Sequence, residues 1–192
     1  MVGLDEVGYG AWAGPIGVAA AYINPVLCPA EFIALLRDSK KLSAQKRQVV
    51  VQTLSGNPQW GEVRLAWVPV HHILPGHALK KTLCAMVTAV QSLSFQAQGV
   101  IVDGVHSLPL DIPQLTLCKA DDQSASVALA SIVAKVARDD VMMALHDEHP
   151  LFGWKNNMGY GTSLHRLAIS EHGLSPHHRP HYCLSALKPT PA

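Results

Sequence analysis

Residues 3–23 read GLDEVGYGAWAGPIGVAAAYI, and two adjacent carboxylates, Asp5 and Glu6, interrupt what is otherwise an apolar, strand-like opening. Side chains on a strand alternate between its faces, so Asp5 and Glu6 cannot both enter one core, and at least one must emerge at an edge or cleft. A buried carboxylate without a counter-charge or hydrogen-bond donor is costly. The pair therefore calls for a metal ion, a basic partner or solvent. The turn that follows carries Gly8, Tyr9, Gly10, Gly14 and Pro15, and the run PIGVAAAYI reads as a returning strand, so the chain opens on an antiparallel hairpin.

Two further apolar runs end in acids. GVIVDG has the form of a short central strand delivering Asp103 at its carboxyl end, and QLTLCKA delivers Asp121 in the same way. Between them and the hairpin, the pattern predicts helices over about 30–37 and 43–54, the second capped by Ser43, and a strand over 61–70. A helix follows with apolar spacing at Leu79, Leu83, Met86, Val87 and Val90. A long apolar helix runs from Ser124 to about His146, and a last amphipathic one over 162–172 precedes a Pro- and His-rich tail. The order predicts one mixed α/β domain over 1–192, with an antiparallel hairpin and later parallel strands. With strands one, four and five adjacent, their acids converge. Clustered carboxylates raise one another's pKa unless a cation compensates, a role suited to oxygen-seeking Mg²⁺ or Mn²⁺. Asp122 and Asp139 are the competing acids.

Charge narrows the partners. Lys and Arg total 15 against 14 acids, so nucleic-acid binding must rest on local cations rather than bulk attraction. Cys28, Cys84, Cys118 and Cys183 make no metal-ligand or disulfide pattern, which fits a reducing cytoplasm. No apolar run approaches the roughly 20 residues that span a bilayer, and no basic-then-apolar leader opens the chain. A soluble, cytoplasmic monomer with no membrane contact is expected.

Six stretches, in order, resemble ribonuclease HII, the type 2 ribonuclease H family: the opening hairpin, DSKKLS, VDG, KADDQSASVALASIVAKVARD, NMGYGT with His165, and HHRPHY. The resemblance implies a ribonuclease H-like α/β fold, a mixed five-stranded sheet flanked by helices. Residues 150–192 would form a small helical carboxyl-terminal region that contacts substrate. It implies an endonuclease that hydrolyses the RNA strand of RNA/DNA hybrids, and single ribonucleotides embedded in DNA, leaving 5′-phosphate and 3′-hydroxyl ends. Two ions about 4 Å apart serve such an in-line displacement. Carried over by position, the family's four catalytic and metal-holding acids fall on Asp5, Glu6, Asp103 and Asp121. Gly8, Tyr9 and Gly10 fall on the turn whose backbone meets the 2′-hydroxyl of RNA. Ser39, Lys40 and Lys41 fall on a phosphate-binding loop, Tyr160 on a tyrosine that stacks at the RNA–DNA junction, and His165 and Arg179 near substrate phosphates.

The match departs at Tyr9, where the family has arginine. Tyrosine brings no charge and one donor, so junction recognition is what changes. The absence of an extra amino-terminal substrate-binding domain favours type HII over HIII. His177, His178 and His181 invite a zinc reading, but their irregular spacing in the tail favours surface histidines, and Lys135 and Arg138 read as surface charges or partners of the acids. Two other functions compete. A catalytically inactive hybrid-binding module is disfavoured because clustered carboxylates repel phosphate unless metal intervenes. A metal-dependent DNA nuclease or strand-transfer enzyme of the same fold is disfavoured by the glycine turn and Tyr160.

Overall fold

The computed structural model describes residues 1–37 and 42–184. Five strands, β1 (Val2–Val7), β2 (Ile16–Ile23), β3 (Gly61–Val68), β4 (Val100–Asp103) and β5 (Gln114–Leu117), form one sheet in the order β3-β2-β1-β4-β5. β1 pairs antiparallel with β2, and β2 with β3, while β4 lies parallel to β1 and β5 parallel to β4. The expected hairpin and the adjacency of strands one, four and five are both present.

The alternation of β1 decides which helix covers which face. Val2 and Leu4 point into a cluster with Ile16, Val18, Val100 and Met86 of helix α3 (Ala78–Gln91). The opposite face packs on α4 (Ala125–Glu148), whose Ala128, Leu129 and Ile132 meet Ala19 and Ala21 of β2. Gly3 allows that approach, because a Cβ there would lie 2.2 Å from the Val127 nitrogen. Helices α1 (Ala30–Arg37) and α2 (Ala44–Ser55) complete the α4 side, and the Ser43 side chain caps α2 by accepting from the Lys46 N–H. Beyond the sheet, the far half of α4 packs with α5 (Trp154–Asn157) and α6 (Ser163–His172) around Met142, Phe152, Trp154 and Ile169.

Two boundaries differ from the sequence pattern. β3 stops at Val68, because Pro69 cannot donate to a ladder and residues 70–72 close a 3₁₀ turn. β5 stops at Leu117, four residues short of Asp121. The chain reverses into α4 through left-handed Lys119 (φ 58°) and a 3₁₀ turn over Ala120–Asp122, so Asp121 stands on that turn. No helix among the described residues is long and apolar enough to cross a membrane.

Candidate active site

The parallel run β1-β4-β5 brings the three acid-bearing chain segments to one end of the sheet, where Asp103 closes β4 opposite Leu117 of β5. The Asp103 carboxylate accepts the Ala120 N–H at 2.8 Å, which fastens the turn carrying Asp121 to the end of β4. Asp5 lies on the Gly3 face of β1, 8% exposed, where it accepts the Glu6 N–H at 2.8 Å and a hydrogen bond from Ser131 of α4. Glu6, on the opposite face, lines a small cleft with Tyr9, Thr82, Met86, Asp103 and His106.

These acids act on one another. Burial pushes Asp5 up to about 6 against the opposing pull of its hydrogen bonds, and the charges of Asp103 and Asp121 add to the rise. Burial pushes Glu6 up to about 7, with Asp5 and Asp103 as further causes. Both carboxyls therefore hold their protons to higher pH than a solvated acid would, because burial disfavours the charged form and the neighbouring negative charges add to it. The donors are all hard carboxylate oxygens, so Mg²⁺ or Mn²⁺ fits this set where a softer, nitrogen-seeking ion would not.

Beside the acids, the glycine turn is held from below by two buried guanidinium groups. Arg179 donates from Nε and Nη2 to the Gly14 carbonyl at 2.9 and 2.7 Å, and from Nη1 to the Gly8 and Tyr9 carbonyls at 2.8 and 2.9 Å. Arg138 donates to Pro15, Met158 and Ala13 carbonyls at 3.0, 2.9 and 3.1 Å. The glycines have separate reasons. Gly8 has φ 78°, and a Cβ there would lie 2.0 Å from the Arg138 Nε. A Cβ on Gly10 would meet nothing within 4 Å, so its bare face is open to a ligand. The loop carrying Tyr160 docks on the same turn, since the Gly159 carbonyl accepts the Trp12 and Ala13 N–H groups at 2.8 and 3.1 Å. Tyr160 itself is exposed, its ring 5.5 Å from the Arg138 guanidinium carbon.

The sequence profile of the family described as Ribonuclease HII matches residues 2–185. The chain belongs to the ribonuclease HII family. A ribonuclease HII of Anaplasma phagocytophilum is 39% identical over 182 residues, covering 93% of this chain and 83% of that one. Among solved structures, the ribonuclease H2 of Pyrococcus horikoshii superposes with a TM-score of 0.78 at 22% identity, over 96% of this chain and 95% of that chain. Bst-RNase HIII in complex with Mn²⁺ superposes at 0.72 and 22% identity, over 97% of this chain and 68% of that chain. At such identities the structural neighbours speak for the shared α/β fold.

Within this ribonuclease HII frame, several residues stand elsewhere than their sequence suggests. Arg179 is expected near phosphate, yet it is fully buried and its donors end on main-chain carbonyls, so a direct phosphate contact gives way to support of the turn. His165 is buried too. The Ser175 N–H donates to His178 Nδ1 at 2.9 Å, which leaves the proton on His178 Nε2, directed at His165 Nε2 at 3.0 Å. His165 Nε2 also accepts from Trp154 at 3.1 Å, so its Nδ1–H donates to the Tyr160 carbonyl at 2.9 Å. Both rings are thus neutral, in keeping with burial, which lowers His165 and takes His178 to about 4. His178 is therefore no surface residue, because its ring fills the core between Phe152 and Trp154. Arg138 is likewise buried, while Lys135 pairs with Asp139 at 2.6 Å and so occupies the competing acid. Ser39, Lys40 and Lys41 lie outside the described residues.

Proposed function

We propose that this chain is an endoribonuclease that cuts the RNA strand of RNA/DNA hybrids, using Asp5, Glu6, Asp103 and Asp121 to hold two divalent ions. The observation that carries this reading is the convergence of three acid-bearing segments at one end of the sheet, with Asp5 and Glu6 raised to about 6 and about 7 by burial and by their acidic neighbours. Mg²⁺ or Mn²⁺ bound there would supply Lewis acidity for attack of water on the scissile phosphodiester and for departure of the 3′ oxygen.

The chain's own groups do the rest. The Asp103–Ala120 hydrogen bond fixes Asp121 relative to β4. Arg179 and Arg138 hold the turn from behind, so that the open face of Gly10 meets the sugar and main-chain groups read the 2′-hydroxyl. Tyr160, exposed at the edge of that turn, offers a face for stacking on a sugar or base. Phosphate recognition falls to Ser39, Lys40 and Lys41, and His165 with Arg179 acts through the loops they fasten. The enzyme works as a cytoplasmic monomer whose residues 150–192 contact the duplex.

Incubation with Mg²⁺ and, separately, a matched hybrid, double-stranded DNA, double-stranded RNA and a duplex with one ribonucleotide tests the reading. Cleavage of the hybrid's RNA strand to 5′-phosphate products is expected. Cutting of DNA would establish a DNA nuclease instead, and tight hybrid binding without cleavage a binding module.

A further inference from the structure

Glu148, His149 and His177 lie far from the carboxylate cluster. Asp121 precedes α4 and Glu148 ends it, and a helix of 24 residues is about 36 Å long. There one ligand atom from each of the three residues falls within 4.8 Å of the other two. The His177 Nε2 is 4.0 Å from a Glu148 oxygen, both side chains are open to solvent, and the His149 and His177 rings are 5.2 Å apart. A tetrahedral zinc ion with bonds near 2.1 Å sets its ligand atoms about 3.4 Å apart, so rotations of roughly 1 Å would close the set.

From this geometry we propose that Glu148, His149 and His177 form a second metal site, selective for Zn²⁺ and similar transition ions, that ties the end of α4 to the segment supporting the glycine turn. Two imidazoles and one carboxylate, with a water as fourth ligand, suit Zn²⁺, Co²⁺ or Ni²⁺, whereas Mg²⁺ prefers an all-oxygen shell. The tie has a structural consequence. The His177 carbonyl accepts the Gly14 N–H at 2.9 Å, and Arg179, two residues on, holds the Gly8, Tyr9 and Gly14 carbonyls. An ion fixing His177 would thus stiffen the strap behind the turn without touching the reacting atoms. Trp154, its ring 5.8 Å from His149 and 6.2 Å from His177, walls one side of the cluster.

The test is a Co²⁺ titration of the untagged, chelator-treated full chain in excess Mg²⁺, which competes for the carboxylate cluster. One equivalent of Co²⁺ should give the intense visible bands of four-coordinate, nitrogen-bearing cobalt. Binding should weaken at least tenfold in the His149→Ala/His177→Ala double variant, fall also in Glu148→Gln, and persist in Asp121→Asn. Zn²⁺ should raise the Tm of the parent and leave that of the double variant unchanged. Glu148 is exposed, so Glu148→Gln should fold by circular dichroism even if the histidine variant does not. Parent-like Co²⁺ binding in a folded Glu148→Gln protein, absence of stoichiometric binding in the parent, or loss of the bands only in Asp121→Asn would overturn the proposal.

Discussion

Replacing Arg179 by lysine keeps a positive charge but removes the planar fork. Arg179 reaches Gly8 and Tyr9 carbonyls with one nitrogen and the Gly14 carbonyl with the other two, and it is fully buried. Burial and the nearby Arg138 pull its pKa down to about 10, which leaves it charged at neutral pH. A lysine ammonium is a single point and cannot serve both sides of the turn. With the ammonium on the Gly14 side, the Tyr9 carbonyl loses its side-chain donor and the Gly8 carbonyl keeps only the Ala11 N–H at 3.2 Å. At about 1–3 kcal/mol for a buried unsatisfied acceptor and about 1 kcal/mol for the lost bond to Gly8, Arg179→Lys should lose roughly 2–4 kcal/mol. At about 2–4 °C per kcal/mol for a chain of this size, the Tm should fall by on the order of 10 °C. Because the turn is then free to shift, kcat/KM on a long hybrid, measured well below the new Tm, should drop by about tenfold or more. Thermal unfolding and steady-state cleavage at saturating Mg²⁺ check both numbers. A variant whose Tm lies within a degree of the parent's and whose kcat/KM is unchanged would show that the fork does not hold the turn.

Other perturbations separate neighbours that the sequence cannot. Asp121→Asn should lose on the order of 10²-fold in rate while folding normally, and Asp122→Asn should keep most activity; the reverse in a cleavage assay would place the metal on Asp122. Because folding raises Asp5 and Glu6 from 3.8 and 4.5 to about 6 and about 7, the folded ion-free protein binds protons more tightly, and its stability falls as pH rises through that window. Divalent ions must displace those protons, so the Tm gain from Mg²⁺ should be full at pH 8 and fade below pH 6; an equal gain at pH 5.5 would refute the coupling. Gly10→Ala should leave stability within about 1 kcal/mol yet cost at least about tenfold in kcat/KM, whereas Gly8→Ala, at positive φ against Arg138, should cost about 2 kcal/mol or more of stability. Urea unfolding beside cleavage kinetics distinguishes the two, and equal stability losses would undo the assignment of Gly10 to the ligand. Tyr9→Arg should improve cleavage at a lone ribonucleotide about tenfold more than cleavage of a long hybrid, by restoring a charge-assisted phosphate contact; equal gains on both substrates would return Tyr9 to a packing role.

The acids were legible because each breaks a local rule. A carboxylate within or just after an apolar strand has no packing reason to be there, and parallel strands align their ends, so three such breaks in one chain imply a cluster. Arg138 and Arg179 break the same rule, yet the local pattern does not place them inside. Arginine is tolerated on surfaces, and only the burial of the surrounding face marks it as internal. A signal did exist in α4, where Ala130, Ala134, Arg138 and Met142 recur every four residues, all buried, on a stripe that a surface charge could not share. Applied to the tail, the same test has no periodicity to use, so HHRPHY reads as polar loop although His178 and Arg179 are core. The glycines mark a further limit. Gly8 and Gly10 are identical letters two residues apart, yet one is fixed by its φ and the Arg138 behind it while the other faces open space. That difference arises from contacts more than a hundred residues away in sequence, which no local pattern encodes. On the proposed reading it also separates their duties: packing and dihedral account for Gly8, while Gly10, which neither of them demands, is assigned to the approach of the ligand.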